Sequence, residues 1–393
     1  MAAVEHTRPK APLLYNPKFR GIAYQVLLCA LIAFLAWSAI NNAAENLARA
    51  KIASGFGFWE NTAGFDISQT LIDYSTTSTY GRAFWVGLIN TLLVAALGIV
   101  FATILGFLIG IGRLSNNWLV ARMAGFYVEI IRNIPLLLQL LFWYNAVLKA
   151  LPGIRESFAI PGGGFLNNRG LFLPQPVLQP GSHWAEYALA FGIVATIAFR
   201  IWARRRQMLT GEQAPVLWVT LGLVIALPFA VLALSGFPVS FNYPESGRFN
   251  IRGGMEVLPE FLALLFGLVV YTAAFIAEVV RAGIRSVAKG QTEAAYSLGL
   301  RPGPTLRLVT IPQAMRVIVP PLTSQYLNLT KNSTLAVAIG YPDLVQIFAG
   351  TVLNQTGQAV EVIVITMAVY LTISLVTSGL MNLYNRRIAL IER

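Results

Sequence analysis

The chain has 393 residues, of which 56% are hydrophobic and only 12% charged, with a mean hydropathy of +0.63. A soluble domain carries about 25% charged residues, so two water-soluble domains are excluded and lipid is the main solvent. A single cysteine, Cys29, and two histidines, His6 and His183, exclude an intramolecular disulfide or thiolate metal cluster and speak against histidine-based catalysis or metal binding.

In chain order, the first apolar run is Gly21–Ile40, preceded by Arg8, Lys10, Lys18 and Arg20. It is longer than the roughly 7–15 residues of a signal-peptide core and long enough to cross a bilayer. We read it as an uncleaved span with a cytoplasmic N-terminus. Further spans are expected at Ala83–Gly112, Met123–Leu148, Tyr187–Trp202, Val216–Leu234, Phe261–Val280, Val317–Gly340 and Val362–Asn385, eight in all. Glu129, Arg132 and Pro135 interrupt the third, and Pro320, Pro321 and Lys331 the seventh. Two outer loops are long, Asn41–Arg82 and Pro152–Glu186. The second is rich in Gly and Pro and predicts turns and extended structure. The fourth and fifth spans read as a hairpin added to a smaller core. Gly106, Gly110 and Gly112 read as close helix packing.

The net charge of +12 does not indicate nucleic acid, because the cations sit between apolar runs as orientation signals do. Alternating from a cytoplasmic N-terminus puts nineteen of the 29 Lys and Arg inside and eight outside, and leaves Arg132 and Lys331 within spans. That bias predicts both termini in the cytoplasm. It also puts the loop 284–316 there.

This loop is more ordered than a topological connector requires. Glu293 is expected in the first turn of a short helix, where its charge suits the helix dipole. Ala294 and Ala295 favour helix and leave room for another surface. Gly299 followed by Pro302 is a stop signal. Pro304 opens a second short helix that passes Arg307 and ends around Ile311-Pro312. The plain alternative is a solvated basic loop that only fixes topology.

Glu293-Ala294-Ala295, Gly299, and Val309-Thr310-Ile311-Pro312 resemble the EAA motif of the membrane subunits of type I ATP-binding-cassette importers, from which Val309 and Ile311 depart conservatively. Gly87–Leu92, Glu129–Gln139, Ala277–Ile284 and Lys331–Leu335 resemble the branch for polar amino acids, and the larger form resembles permeases for general L-amino acids or for glutamate, glutamine, aspartate and asparagine. The resemblance implies an all-α integral membrane fold of about eight transmembrane helices. Five of them (about 83–112, 123–148, 261–280, 317–340 and 362–385) would form the permease core. Residues 1–82 would be an N-terminal tail, span and periplasmic loop, 83–386 the transport domain, and about 151–258 an insertion. It further implies ATPase coupling through Glu293, Ala294, Ala295, Gly299 and Pro312. The implied partners are two cytoplasmic ATPases that hold ATP and Mg, a second and different permease, and a periplasmic amino-acid-binding protein. The location implied is the bacterial inner membrane. No Gly-Lys pair exists in the chain, so it can build no phosphate-binding loop and holds no cofactor of its own. It is therefore a transport subunit rather than an enzyme.

A cation at mid-bilayer costs roughly 2.5–3.5 kcal/mol on insertion scales and faces a bundle interior or cavity. Arg132, about 13 Å into its span at 1.5 Å per residue, is such a cation. Arg132, Asn133, Lys331, Ser333 and Thr334 are candidate donors for a substrate carboxylate. Glu278, Asn90 and the carbonyls freed by Pro135 are candidate acceptors for its ammonium. Glu129/Arg132 and Glu278/Arg281 are equally i,i+3 pairs that can neutralise each other locally. Two other classes compete with an ATP-driven importer. An ion-gradient-driven amino-acid transporter leaves the ordered loop unexplained. A membrane enzyme would need a polar cluster that is not seen.

Overall fold

The computed structural model describes residues 17–49, 55–247 and 250–388. His6, Arg8, Lys10, Lys51, Arg248 and Arg393, used above, lie outside the described residues. Helices dominate because long apolar runs satisfy their backbone internally, the requirement lipid imposes. They are α1 (Pro17–Arg49), α2 (Tyr80–Gly112), α3 (Trp118–Asn133), α4 (Leu136–Leu141), α5 (His183–Thr210), α6 (Val216–Leu221), α7 (Leu227–Leu234), α8 (Pro259–Arg285), α9 (Lys289–Ser297), α10 (Pro302–Thr305), α11 (Ile311–Asn332), α12 (Leu353–Thr356) and α13 (Ala359–Ile388).

Among the described residues, six helices are long and apolar enough to cross a membrane: Phe19–Asn42, Tyr80–Gly112, His183–Thr210, Val216–Leu234, Pro259–Arg285 and Ala359–Arg386. A seventh crossing exists if the bent pair Trp118–Asn133 and Leu136–Leu148 counts as one. The expected seventh span, Val317–Gly340, is not among them. Gln325, Asn328, Lys331 and Asn332 make α11 too polar, and it gives way to a 3-10 helix at Ser333–Ile339.

The chain forms two compact units, one of Met1–Thr91 with Pro342–Val376, the other of Leu92–Tyr341 with Thr377–Arg393. In the first, the described segment before α2 folds onto the start of α2 and a π-helical stretch, Val345–Val352. Trp59, Phe84 and Phe348 meet with ring centroids 5.1–5.9 Å apart. Asn90 and Thr91 tie in the segment after Tyr341. Asn90 Nδ2 donates to the carbonyls of Pro342 at 2.9 Å and Gln69 at 3.0 Å. Thr91 Oγ1 accepts from Leu344 N at 3.0 Å. Asp343 in that segment is buried. Its carboxylate accepts from Gln346 N at 2.8 Å and Tyr370 OH at 3.3 Å.

In the second unit α8 is the central helix, packed by α11, α3 and α4. Gly106 and Gly110 let α2 approach it. A Cβ at Gly106 would lie 2.6 Å from Ile276 Cβ, and one at Gly110 would lie 2.8 Å from the Ala277 carbonyl. Gly112 has only ordinary 3.7 Å neighbours, so the packing role belongs to the first two.

The insertion adds strand to a fold expected to be all helix. Phe158–Ile160 (β1), Gly164–Asn167 (β2), Gly170–Leu173 (β3) and Met255–Val257 form an antiparallel sheet in that order. Gln175–Leu178 pairs with Val239–Asn242. The Gly- and Pro-rich loop thus becomes short hairpins, as turn chemistry allows. Between them α5 runs against α6 and α7, which a π-helical stretch at Gly222–Ala226 joins.

Candidate functional site

Residue Ile134 is extended, as the residue before a proline must be, and α3 and α4 meet at 104°. Pro135 has no N–H for the Ile131 carbonyl. Gln139 Nε2 replaces it, donating to Ile131 O and Ile134 O, each at 2.9 Å. The carbonyls freed by Pro135 are therefore occupied, and they are not open acceptors as the sequence suggested. The break leaves Arg132 and Asn133 at the C-terminal end of α3, where a cation is favoured by the helix dipole.

Arg132 and Asn133 line a pocket of about 420 Å³ with Arg113, Val128, Glu129, Phe275 and Glu278. The Arg132 guanidinium carbon lies 5.0 Å from the centre of the Phe275 ring. Among the described residues it forms no ion pair. The two i,i+3 pairs therefore behave differently. Glu278 accepts from both Arg281 and Arg113, while Glu129 and Arg132 do not pair. The expected ammonium acceptor, Glu278, is consumed by two arginines, and Glu129 is the carboxylate left to the pocket.

Phe275 also borders a pocket of about 330 Å³ lined by Tyr271, Thr272, Gln325, Asn328 and Asn332. The sequence reading missed these. Gln325, Asn328 and Asn332 stand at i, i+3 and i+7, one polar face of a helix, and that periodicity could have revealed them. Lys331, next to this stripe, is exposed in the last turn of α11.

Other expected contacts are placed otherwise. Ser333 is fully buried and its hydroxyl donates to Thr330 O at 2.8 Å. Thr334 donates to Lys331 O at 2.8 Å. Neither hydroxyl proton is offered to a ligand, because each satisfies the turn before it. Asn90 belongs to the first unit and braces it.

The loop 284–316 forms the first expected helix, α9, but it starts at Lys289. Glu293 thus falls in the second turn, and the dipole argument for it lapses. Gly299 takes φ +77° and ends the helix. Leu300 N closes it onto Ala295 O at 3.1 Å, the six-to-one bond of a Schellman cap. Ala295 is buried, while Glu293, Ala294, Tyr296 and Leu298 are exposed. The second helix does not stop at Ile311-Pro312. Helix α10 passes through a π turn, Leu306–Thr310, straight into α11, which Pro312 helps to open. The wider turn accommodates the missing proline donor, so no break is needed.

A many-span chain with a broken helix, an arginine without an ion pair beside the break and a short exposed helix between spans fits a membrane transport subunit. The family of binding-protein-dependent transport system inner membrane components matches residues 102–390. The chain is 53% identical over 380 residues to the general L-amino acid transport system permease protein AapQ of Rhizobium johnstonii, covering 97% of this chain and 95% of the relative. It is 52% identical to the putative amino-acid ABC transporter permease protein YhdX of Escherichia coli, covering 96% of each. It is 44% identical to the glutamate/glutamine/aspartate/asparagine transport system permease protein BztB of Rhodobacter capsulatus, covering 97% and 96%. The chain belongs to the family of inner membrane components of binding-protein-dependent transport systems. It is a non-enzymatic permease of the inner membrane, and its partners are an ATPase and a substrate-binding protein. The ion-gradient and enzyme readings fall with that assignment.

Proposed function

We propose that this permease carries polar or general L-amino acids and forms half of the pathway with a second, different permease. The observation that carries this reading is Arg132, a guanidinium with no ion pair among the described residues, set beside Asn133 over the Phe275 ring. A substrate carboxylate is its complement, and charge-assisted bonds of this kind are the strong ones. Glu129 on the same pocket suits the ammonium. Arg132, Asn133 and Glu129 are all exposed in the single chain. Charges at that depth do not face lipid, so a second permease is what covers them. The kinship with permeases of amino-acid systems supports the substrate class.

On this reading residues 83–386 are the transport domain, preceded by residues 1–82 and interrupted by the insertion 151–258. Both termini are cytoplasmic, as the cation bias favours. Glu293–Gly299, with exposed Leu298, enters a groove on one of the two ATPases. Closure of the ATPases on ATP reorients the pathway.

The test is ATP-driven uptake by the assembled transporter in vesicles, using an L-amino acid panel and the matching amines that lack the carboxylate. The reading expects uptake of the acids and exclusion of the amines. Equal uptake of both refutes the carboxylate role.

A further inference from the structure

The hairpin of α5 with α6 and α7 has no counterpart in the transport machinery described above, and its cytoplasmic tip is built for a ligand of its own. The apolar legs are exposed nearly all round, with no buried residue in the Val216–Leu234 window, so lipid surrounds them. The legs are locked in register at Gly192, where a Cβ would lie 2.1 Å from the Leu223 carbonyl. Counting from that contact, Val216 at the start of the return leg is level with Phe199. Everything after Phe199 projects past the apolar return leg. Helix α5 is about 42 Å long at 1.5 Å per residue, well over the roughly 30 Å of hydrocarbon. The excess of about 12 Å is about eight residues, so its last two turns, from Ala203 on, stand among headgroups.

Those turns hold Arg204, Arg205 and Arg206, and Arg200 lies one turn before them, within reach of the headgroups by its long side chain; all four are exposed. Arg206 pairs with Glu212 at 2.6 Å and lies 5.5 Å from the Trp202 ring centre. Arg200, Arg204 and Arg205 have no ion pair among the described residues. Trp202 is exposed among them, Trp218 is exposed on the return leg, level with Ile197 by the same count, and Met208 and Leu209 are exposed beyond. Cations interleaved with exposed aromatic and apolar side chains, at headgroup level, match a surface that is both anionic and greasy.

We infer that the cytoplasmic tip of the inserted hairpin, Arg200, Arg204 and Arg205 with Trp202 and Trp218, binds the phosphodiester headgroups of anionic phospholipids. The hairpin is thereby a lipid anchor of the permease. It needs no assumption about the amino acid carried. Three guanidiniums within two turns give an anionic headgroup several charge-assisted donors, and the aromatic rings fix the depth of the tip.

The experiment uses the assembled transporter in nanodiscs made from equal parts phosphatidylcholine and phosphatidylglycerol, with retained lipids counted by native mass spectrometry. Wild type should retain phosphatidylglycerol in preference. The triple variant R200Q/R204Q/R205Q should lose on the order of a hundredfold of that preference, each arginine contributing roughly fivefold. R200K/R204K/R205K keeps the charge and should retain most of it. Single R205Q stays interpretable if the triple variant fails to insert, and it should show a partial loss. The proposal is overturned if correctly inserted glutamine variants retain the same lipid as wild type, for then the arginines only orient the hairpin. A wild type with no preference for the anionic lipid overturns it equally.

Discussion

Replacing Gly106 by alanine should drive α2 and α8 apart. The new Cβ would lie 2.6 Å from both Ile276 Cβ and Cγ2, and 3.0 Å from the Ala273 carbonyl. Carbon atoms pack at about 3.5–4.0 Å, so the two helices must separate by roughly 1 Å. None of those atoms is the free end of a flexible side chain that could step aside. Overpacking of this kind costs about 1–3 kcal/mol, against which alanine regains up to about 1 kcal/mol of helix propensity. Gly125→Ala isolates the first effect, because Gly125 is also inside a helix and its Cβ would meet nothing within 4 Å. The difference between the two variants is then the packing cost alone. Thermal unfolding of the purified transporter in detergent should place Gly106→Ala a few degrees below Gly125→Ala. Equal midpoints would refute the close α2–α8 contact.

Other outcomes follow from the same geometry. Asn90→Ala strips the partners from the Pro342 and Gln69 carbonyls and should cost about 1–3 kcal/mol, read as faster proteolysis of the first unit; an unchanged rate would remove Asn90 from its bracing role. Burial raises the Asp343 carboxyl from its ordinary 3.8 to about 7, against the lowering effect of its hydrogen bonds from Gln346 and Tyr370. The folded chain then holds that proton more tightly than the unfolded chain. Its stabilisation is complete below about pH 4 and is lost as pH rises through about 7. Asp343→Asn should flatten the pH dependence of the unfolding midpoint across that window, and an undiminished slope would point to another group. At the end of α9, Gly299→Val forces a β-branched residue to φ +77°, a strain of about 1–3 kcal/mol. Together with Glu293→Lys it should lower stimulated ATP hydrolysis while the assembly stays intact; full stimulation in both would put coupling elsewhere.

What the sequence made legible was what lies along one stretch of chain. Continuous apolar runs gave α1, α2, α8 and α13. Gly299 and Pro302 marked the end of α9 because a left-handed residue and a missing donor act locally. Pairings between distant segments were not legible. Arg113 and Glu278 are 165 residues apart, and nothing in the local pattern of either says that Glu278 is neutralised by two arginines. Gln139 was visible as a polar residue in an apolar run, but its role needs the 104° bend that points it at the Ile131 carbonyl. The expected second short helix forms but does not end at Ile311-Pro312, because a π turn absorbs the proline without ending the helix. The polar face of α11 is a local pattern that the sequence carries, and Pro320 and Pro321 within it do not break the helix.

The central claim is that the unpaired guanidinium of Arg132 meets the substrate. It is tested most directly by uptake kinetics of Arg132→Ala in the reconstituted transporter, with basal ATP hydrolysis measured alongside. Loss of a charged hydrogen-bond partner of about 1.5–3 kcal/mol predicts uptake reduced by roughly ten- to a hundredfold with hydrolysis preserved, and partial recovery in Arg132→Lys. Uptake kinetics equal to wild type in Arg132→Ala would contradict the account.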